Sequence, residues 1–395
     1  MTRQKVGQTF RSANQCVLLA MVVLSVGLAA VPQTAAVVTV TNPLAAARPA
    51  ETIELSVDAL KRALTFDDVR KIHVKDDKTG KDLLTQAVDL DDDGTFEQVI
   101  FQADLAASER RTFSLSVGER YIAKKDDFRA YGRFVRERRD DFVWENDLVA
   151  HRMYGAALET WAQEPLTSSA VDLWVKKTPR LVVNDWYMVD DYHADHGDGA
   201  DLYSAGKTRG CGGNAIWQGG KLYPSTNFRG SRVLANGPLR ILFELTYDQW
   251  DAGGQKLSET KRISLDAGQR MNRFESRYSV PSPRPLQQAA GIKKAATATV
   301  RVDKEAGILR TWEPFSNNNG SVGCGVIADV RDVAETPELD GNILIVTRVA
   351  GGTPAVYWAG SAWDRGGSIT TAALWDRYLD EWAARLRTPV TVQVK

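Results

Sequence analysis

Cysteine is scarce in this chain of 395 residues, with three in all. Cys16 lies in an N-terminal apolar stretch, and Cys211 and Cys324 stand alone in GCGG and VGCGV. Without a further Cys pair, and with only four histidines, a structural zinc site of finger type is excluded. Net charge is missing too: 50 basic residues face 50 acidic ones, which gives no electrostatic case for nucleic acid or an anionic membrane as partner. No nucleophile elbow, HExxH, CxxC, phosphate loop, internal repeat or low-complexity tract occurs, so the commonest catalytic signatures offer no guide. What remains is the composition of a globular protein, 43% hydrophobic and 25% charged, long enough for one large domain or two ordinary ones.

Long apolar runs are absent except at the start. Residues 1–36 read as a secretory signal: Arg3, Lys5 and Arg11 precede an apolar core from Cys16 to Val31, and Thr34-Ala35-Ala36 offers small residues for cleavage. The run is shorter than the roughly 20 residues that span a bilayer, so an uncleaved anchor is the weaker reading. Cleavage leaves 47 basic residues against 50 acidic, a net charge of about −3, and a periplasmic or secreted protein with no membrane attachment. In that oxidising setting Cys211 and Cys324 could form a disulfide, worth roughly 4–5 kcal/mol for so long a loop, or stay as two buried thiols.

Strand patterns fill most of the rest. Residues 37–120 read as a small antiparallel lobe, with strands around TNPLAAARPAETIEL, at Lys71–Val74, Gln98–Phe101 and Thr112–Val117. Inside it, Asp89, Asp91, Asp93 and Glu97 with Gly94 match the first part of a calcium loop. Ile100 stands where the bidentate Glu belongs, and a solvated Asp/Gly turn explains the same letters. From 121 to 395 the pattern predicts the main domain: VDLWV, RLVV, Arg240–Tyr247, Lys261–Leu265, Phe274–Val280, Ala296–Val302, Ile343–Val349 and Ala355–Trp358 as strands. One helix follows, capped by Thr370 or Thr371 and stopped by Pro389, before a last strand VTVQV. This density of strands with Gly/Pro/Asn turns indicates an all-β sandwich or barrel.

Two stretches carry candidate chemistry. Trp186–Tyr223 is rich in glycine, holds His193, His196 and five aspartates, and is lined with Tyr192, Tyr203 and Trp217. A loop so polar is costly to bury unless paired, and its rings argue against disorder. Its His/Asp run permits three readings: a histidine acid or base oriented by an aspartate, a divalent-cation site from Asp195, Asp198 and Asp201, or carboxylates that only contact sugar hydroxyls or cap turns. Lys207 and Arg209, which follow, suit an anionic ligand. The second stretch is WEND with Arg152 and Tyr154, where Trp144, Glu145 and Asp147 join an Arg-rich, aromatic-lined segment fit for anionic sugars.

WENDLVAHRMYGAALE, DYHADHGDGADLYSAGKTRGCGGNAIW and RVLANGPLRILFEL, with TNPLAAARPAETIEL and VYWAGSAWDRGG, resemble a family of secreted bacterial proteins. It is known only as a domain of unknown function, often encoded near polysaccharide-degrading enzymes. The resemblance covers essentially the whole mature chain. It implies a large antiparallel β-sandwich of the galactose-mutarotase-like kind, a fold that also carries polysaccharide lyases and hydrolases. His151 departs from the pattern, where an aromatic or aliphatic residue is expected. The expectation is then a carbohydrate-active protein, foremost a lyase on uronate-containing oligosaccharides. Arg152 or Arg209 would neutralise the substrate carboxylate, His193 or His196 take the proton, and Tyr192 or Tyr203 protonate the leaving oxygen. A glycoside hydrolase, a sugar epimerase or a non-catalytic glycan-binding protein are the alternatives.

Overall fold

The computed structural model describes residues 36–189, 191–280 and 285–395. The leader read over residues 1–36 therefore lies outside the described residues, apart from Ala36, with which the first strand begins. No helix among the described residues is long and apolar enough to cross a membrane. Strands dominate and pair antiparallel throughout, apart from two isolated parallel bridges.

The centre is an eight-stranded sheet, in spatial order 230–236, 240–251, 256–266, 271–279, 355–363, 321–328, 308–314 and 299–303. Strand Arg240–Asp251 shows how it is specified. Alternation sends Ile241, Phe243, Leu245 and Tyr247 into the main core, while Leu242 faces the other way against Val88 and Ile100. Two smaller sheets share that core from the opposite side. One is six-stranded, built around Cys211–Gln218, Leu286–Lys293 and Asn342–Val349; the other is five-stranded and spans 130–200. A bridge between Val171 and Gly210 joins them. The result is a large antiparallel β-sandwich.

The helix Ala372–Arg387 begins at the Thr371 cap and lays Trp375, Leu379 and Ala383 over the back of the eight-stranded sheet. Residues 36–117 have their own core, around Val38, Val40, Phe101, Phe113 and Leu115, and the chain's last strand, Thr391–Val394, pairs with Ala36–Thr41 at its edge. A short helix, Val57–Ala63, capped by Ser56, also packs there; its seven residues are too few to leave a clear periodic signal.

Two expectations change, and the open question of the cysteines is decided for buried thiols. Arg180–Val183 forms no strand. Lys176 takes the Arg180 carbonyl, Glu145 takes the Val183 N–H, and a short helix runs from Val183 to Met188 instead. The strand expected from Ala296 begins at Thr299. Cys211 and Cys324 are free, buried thiols side by side rather than a bridge. Cys211 donates to the Gly360 carbonyl at 3.3 Å, and burial pushes its thiol well above the usual range, which makes it unreactive.

Candidate functional site

The five-stranded sheet positions the site. Its strands are Ala130–Val135, Asp141–Asn146, Ala150–Met153, Asp172–Lys176 and Gly199–Ala200. Register sets Val135 opposite Asp141, Val143 opposite Arg152, and Arg152 opposite Asp172. Alternation then divides the residues. Phe142, Trp144, Met153, Leu173 and Val175 enter the apolar core, while Asp141, Glu145, Arg152, Asp172 and Lys176 share the outer face. Most of that ionic face is shielded from solvent. Helix Val183–Met188 and the segment through Tyr192 cover it, packing Trp186, Tyr187 and Tyr192 onto Trp174 of the sheet.

Two charge clusters sit beneath this cover. Toward one end, the wholly buried Lys176 donates to Glu145 Oε2 at 2.5 Å and to the carbonyls of Asn146 and Arg180, so its three donors are all used. Glu145 is thereby a structural anchor for the helix rather than a sugar contact. Toward the other end, Arg152 is ringed by three carboxylates: Asp172 at 2.5 Å, Asp201 at 3.0 Å and Asp141 at 3.6 Å. Tyr154 donates to Asp172 at 3.0 Å, and Tyr187 to Asp141 at 3.3 Å. Asp141, Asp172 and Asp201 are only 2%, 1% and 5% exposed.

Three buried carboxylates against one guanidinium cannot all be ionised cheaply, because each further charge loses hydration and repels its neighbours. Burial pushes Asp141 up to about 7 despite the opposing pull of Arg152 and Arg138. Burial likewise raises Asp201 well above the usual carboxylate range, and Asp172 and Asp141 push it further. Burial alone would weaken the charge on Arg152, but Asp201 and Asp172 hold its affinity for the proton well above the ordinary value.

This cluster opens outward through a recess of about 50 Å³ lined by Arg138, Asp141, Arg152, Tyr154, Glu164 and His193. Its volume admits a water or one exocyclic group of a sugar. Arg138 sits at the mouth, stacked over Tyr192 and Trp161 and 3.8 Å from Glu164. The turn that delivers it passes through Arg139 and Asp140, both at positive φ (50° and 63°), a costly backbone for residues other than glycine. His193 is 65% exposed, with Nδ1 3.1 Å from the Asp201 carbonyl and 3.5 Å from its carboxylate. A carbonyl can only accept, so Nδ1 is the donor in this contact and Nε2 is not engaged by it. Gly199 lets this loop close: its φ is +118°, and a Cβ there would lie 2.0 Å from the Val175 carbonyl oxygen.

Of the residues expected from the sequence, the recess thus gathers Arg152, Tyr154 and His193, with Asp201 behind and Tyr192 packed alongside. The others lie elsewhere. Trp144 is in the core, donating to Asn272. Asp147 receives the Gly268 N–H and sits on a different opening. His196 pairs on the surface with Asp191. Asp195 and Asp198 are spread along the loop, held by Lys177 and Arg180, so they and Asp201 do not converge as a metal set. Tyr203 is buried under Lys293, and Lys207 is exposed. Arg209 is inside the sandwich, bound to Ser169 and Asn214 and lowered to about 10 by burial. Trp217 is buried and donates to Glu335. His151 stacks on Trp144 in the core, and burial lowers it to about 3, so it is neutral packing. In the N-terminal hairpin, Asp89, Asp91, Asp93 and Glu97 bring ligand oxygens within 4.8 Å of one another, but their bonds to Asp92, Gly94 and Thr95 already close the turn.

Sequence reading missed Asp141, Asp172, Arg138 and Glu164. Asp141 follows five charged residues in RERRDD, a run that by itself gives no sign of burial. Only the alternation beginning at Phe142 marks it as inward under the cover. His196→Ala follows from the same map: with both partners 67% exposed, turnover of any substrate is expected to stay within about twofold. A drop beyond tenfold in initial rate would bring His196 back into the site.

Residues 40–392 match the family model described as Domain of unknown function (DUF4861). The chain is 32% identical over 372 residues to Uncharacterized protein P7 of Formosa agariphila, covering 91% of this chain and 93% of that protein. Among solved structures, it is similar to a protein in the glycosyl hydrolase family 38 from Enterococcus faecalis, with a TM-score of 0.50 and 11% identity over 92% of this chain and 48% of that one. An alpha-mannosidase from Enterococcus faecalis V583 aligns with a TM-score of 0.49 and 10% identity, over 92% of this chain and 46% of that one. The chain spans about half the length of each of these solved chains, and the likeness to the glycosyl hydrolase family 38 protein is one of fold.

Proposed function

We propose, for a chain that belongs to the DUF4861 family, an exported carbohydrate-active enzyme that cleaves uronate-containing oligosaccharides by β-elimination at the recess over Arg152. The observation that carries this reading is the convergence at one opening of a base, an acid and a cation whose pairing with Glu164, at 3.8 Å, is loose enough to be exchanged for a substrate carboxylate. His193 Nε2 is the base. Asp141, kept protonated near neutrality by burial, is the acid. Arg138 is the cation for the substrate carboxylate. Arg152, one of the two residues first considered for that last role, has its charge already matched by Asp172 and Asp201. It acts instead as the post that fixes the acid.

In the step so assigned, Arg138 stabilises charge developing on the uronate carboxyl, and His193 removes the proton on the adjacent carbon. The electron pair forms the C=C bond and expels the glycosidic oxygen, which takes the Asp141 proton. A second reading has its own support. Two or more carboxylates around a recess, one protonated, are also the equipment of a glycoside hydrolase. The family 38 fold likeness agrees with carbohydrate chemistry of either kind but selects neither.

The test is incubation with oligouronides of pectin and alginate type and with mixed uronate–neutral oligosaccharides. Elimination is expected to produce absorbance near 235 nm, abolished in His193→Ala. New reducing ends without absorbance would replace elimination with hydrolysis. Neither signal across the panel would sink the enzymatic reading and leave a glycan-binding protein.

A further inference from the structure

A second opening, much larger than the recess, lies beside the helix Val183–Met188. It has a volume of about 920 Å³, within the range that holds several sugar rings. Its walls include Phe128, Arg129, Tyr131, Arg180, Asn184 and Asp185. Tyr131 stands opposite Glu145 in the register, at the far end of the strand that begins with Asp141, so groove and recess are roughly 13 Å apart along it. We infer that this groove is a separate binding site for a neutral stretch of oligosaccharide.

The charge pattern selects that class. The groove carries three cations, Lys125, Arg129 and Arg180, and three carboxylates, Asp126, Asp147 and Asp185. Arg129 already faces Asp147 at 3.5 Å and Arg180 is bonded to Asp198 at 2.6 Å, so no cationic surplus is left for a polyanion. Lys125, Asp126 and Asp185 form no ion pair among the described residues, which leaves one donor and two acceptors in the groove for sugar hydroxyls. Two aromatic side chains, Phe128 and Tyr131, line it as well. Phe128 is braced by Gly237, where a Cβ would come within 2.4 Å of its ring, and half-buried Tyr131 packs against the edge of the aromatic cluster. A rigid ring beside paired hydrogen-bonding groups is the economy by which proteins hold sugars, since little side-chain entropy is lost on binding.

The inference stands apart from catalysis, and its test keeps the two separable. The full mature chain is run in affinity gels containing xylan, glucomannan, mixed-linkage β-glucan or galactan, with pectate and alginate as the anionic arm. At least one neutral polymer is expected to retard the wild type. Tyr131→Ala should raise the dissociation constant at least tenfold, Tyr131→Trp should keep it within about threefold, and His193→Ala should leave it unchanged. Asp185→Ala alters an exposed residue, so it reports on the groove even if Tyr131→Ala fails to fold; a loss of at least threefold is expected. No retardation by any neutral polymer, retardation by pectate or alginate alone, or indifference to both the Tyr131→Ala and Asp185→Ala changes would overturn the inference. Retardation without any cleavage product would sink the lyase alone, and product without neutral retardation would sink the groove alone.

Discussion

Asp141→Asn is expected to lower kcat by about 10²–10⁴-fold, the usual contribution of a positioned general acid, while KM changes little. Asparagine preserves the shape and can still meet the Tyr187 hydroxyl, but it has no proton to give. The pH profile makes the prediction specific. The acid works while protonated, so wild-type rate should fall as pH rises through about 7, where burial has moved Asp141. In Asp141→Asn that alkaline limb should vanish. If it persists near 7 in the variant, the titrating acid is another group and the assignment fails.

The same shift has a stability counterpart of definite sign. Asp141 binds its proton more tightly folded, at about 7, than at the ordinary carboxylate value of 3.8. Between those values the native state holds more protons than the unfolded one, so this contribution is fully present below 3.8 and is lost as pH rises through 7. At about 1.4 kcal/mol per unit the window amounts to about 4 kcal/mol. Urea midpoints measured from pH 4 to 8 should show a smaller decline in Asp141→Asn than in the wild type.

Arg152→Met should have the larger effect on the fold. Removing the guanidinium leaves Asp141, Asp172 and Asp201 buried with only the more distant Arg138 to offset them, close to the situation in which one partner's loss from a buried ion cluster costs about 3–5 kcal/mol. The methionine also gives up stacking on Tyr154 and Trp174. The carboxylates can relieve part of the cost by taking up protons, so the loss should grow as pH rises from 5 to 8. A urea midpoint displaced by less than the equivalent of 1 kcal/mol at pH 8 would mean that water, not Arg152, neutralises the cluster. Arg152→Lys should fall between, since an ammonium supplies the charge but not the fork that reaches Asp172 and Asp201 together.

Much of the architecture was legible because strands have a period of two. Arg240–Tyr247 alternates so cleanly that its inward face could be read directly, and the helix at 372–387 announced itself by cap, stripe and terminating proline. The same period explains where reading by neighbourhood went astray. Trp144 and Glu145 are adjacent in WEND and were grouped as one wall, yet consecutive strand residues face opposite ways, one into the apolar core and one under the helix.

The sequence by itself determined that the protein is a strand-built sandwich with balanced charge, and that Arg152 and His193 were worth watching. It determined this because hydrophobic alternation, capping and turn residues act over a few positions. Only the tertiary structure decided which ionisable groups meet. Asp141, Arg152, Asp172 and Asp201 come from three neighbouring strands and a loop, and nothing in their spacing records the register that sets them around one guanidinium. Nor does spacing record the cover of Trp186, Tyr187 and Tyr192 that excludes water from them. Their shifted proton affinities are a property of that burial, and so belong to the fold rather than to any motif.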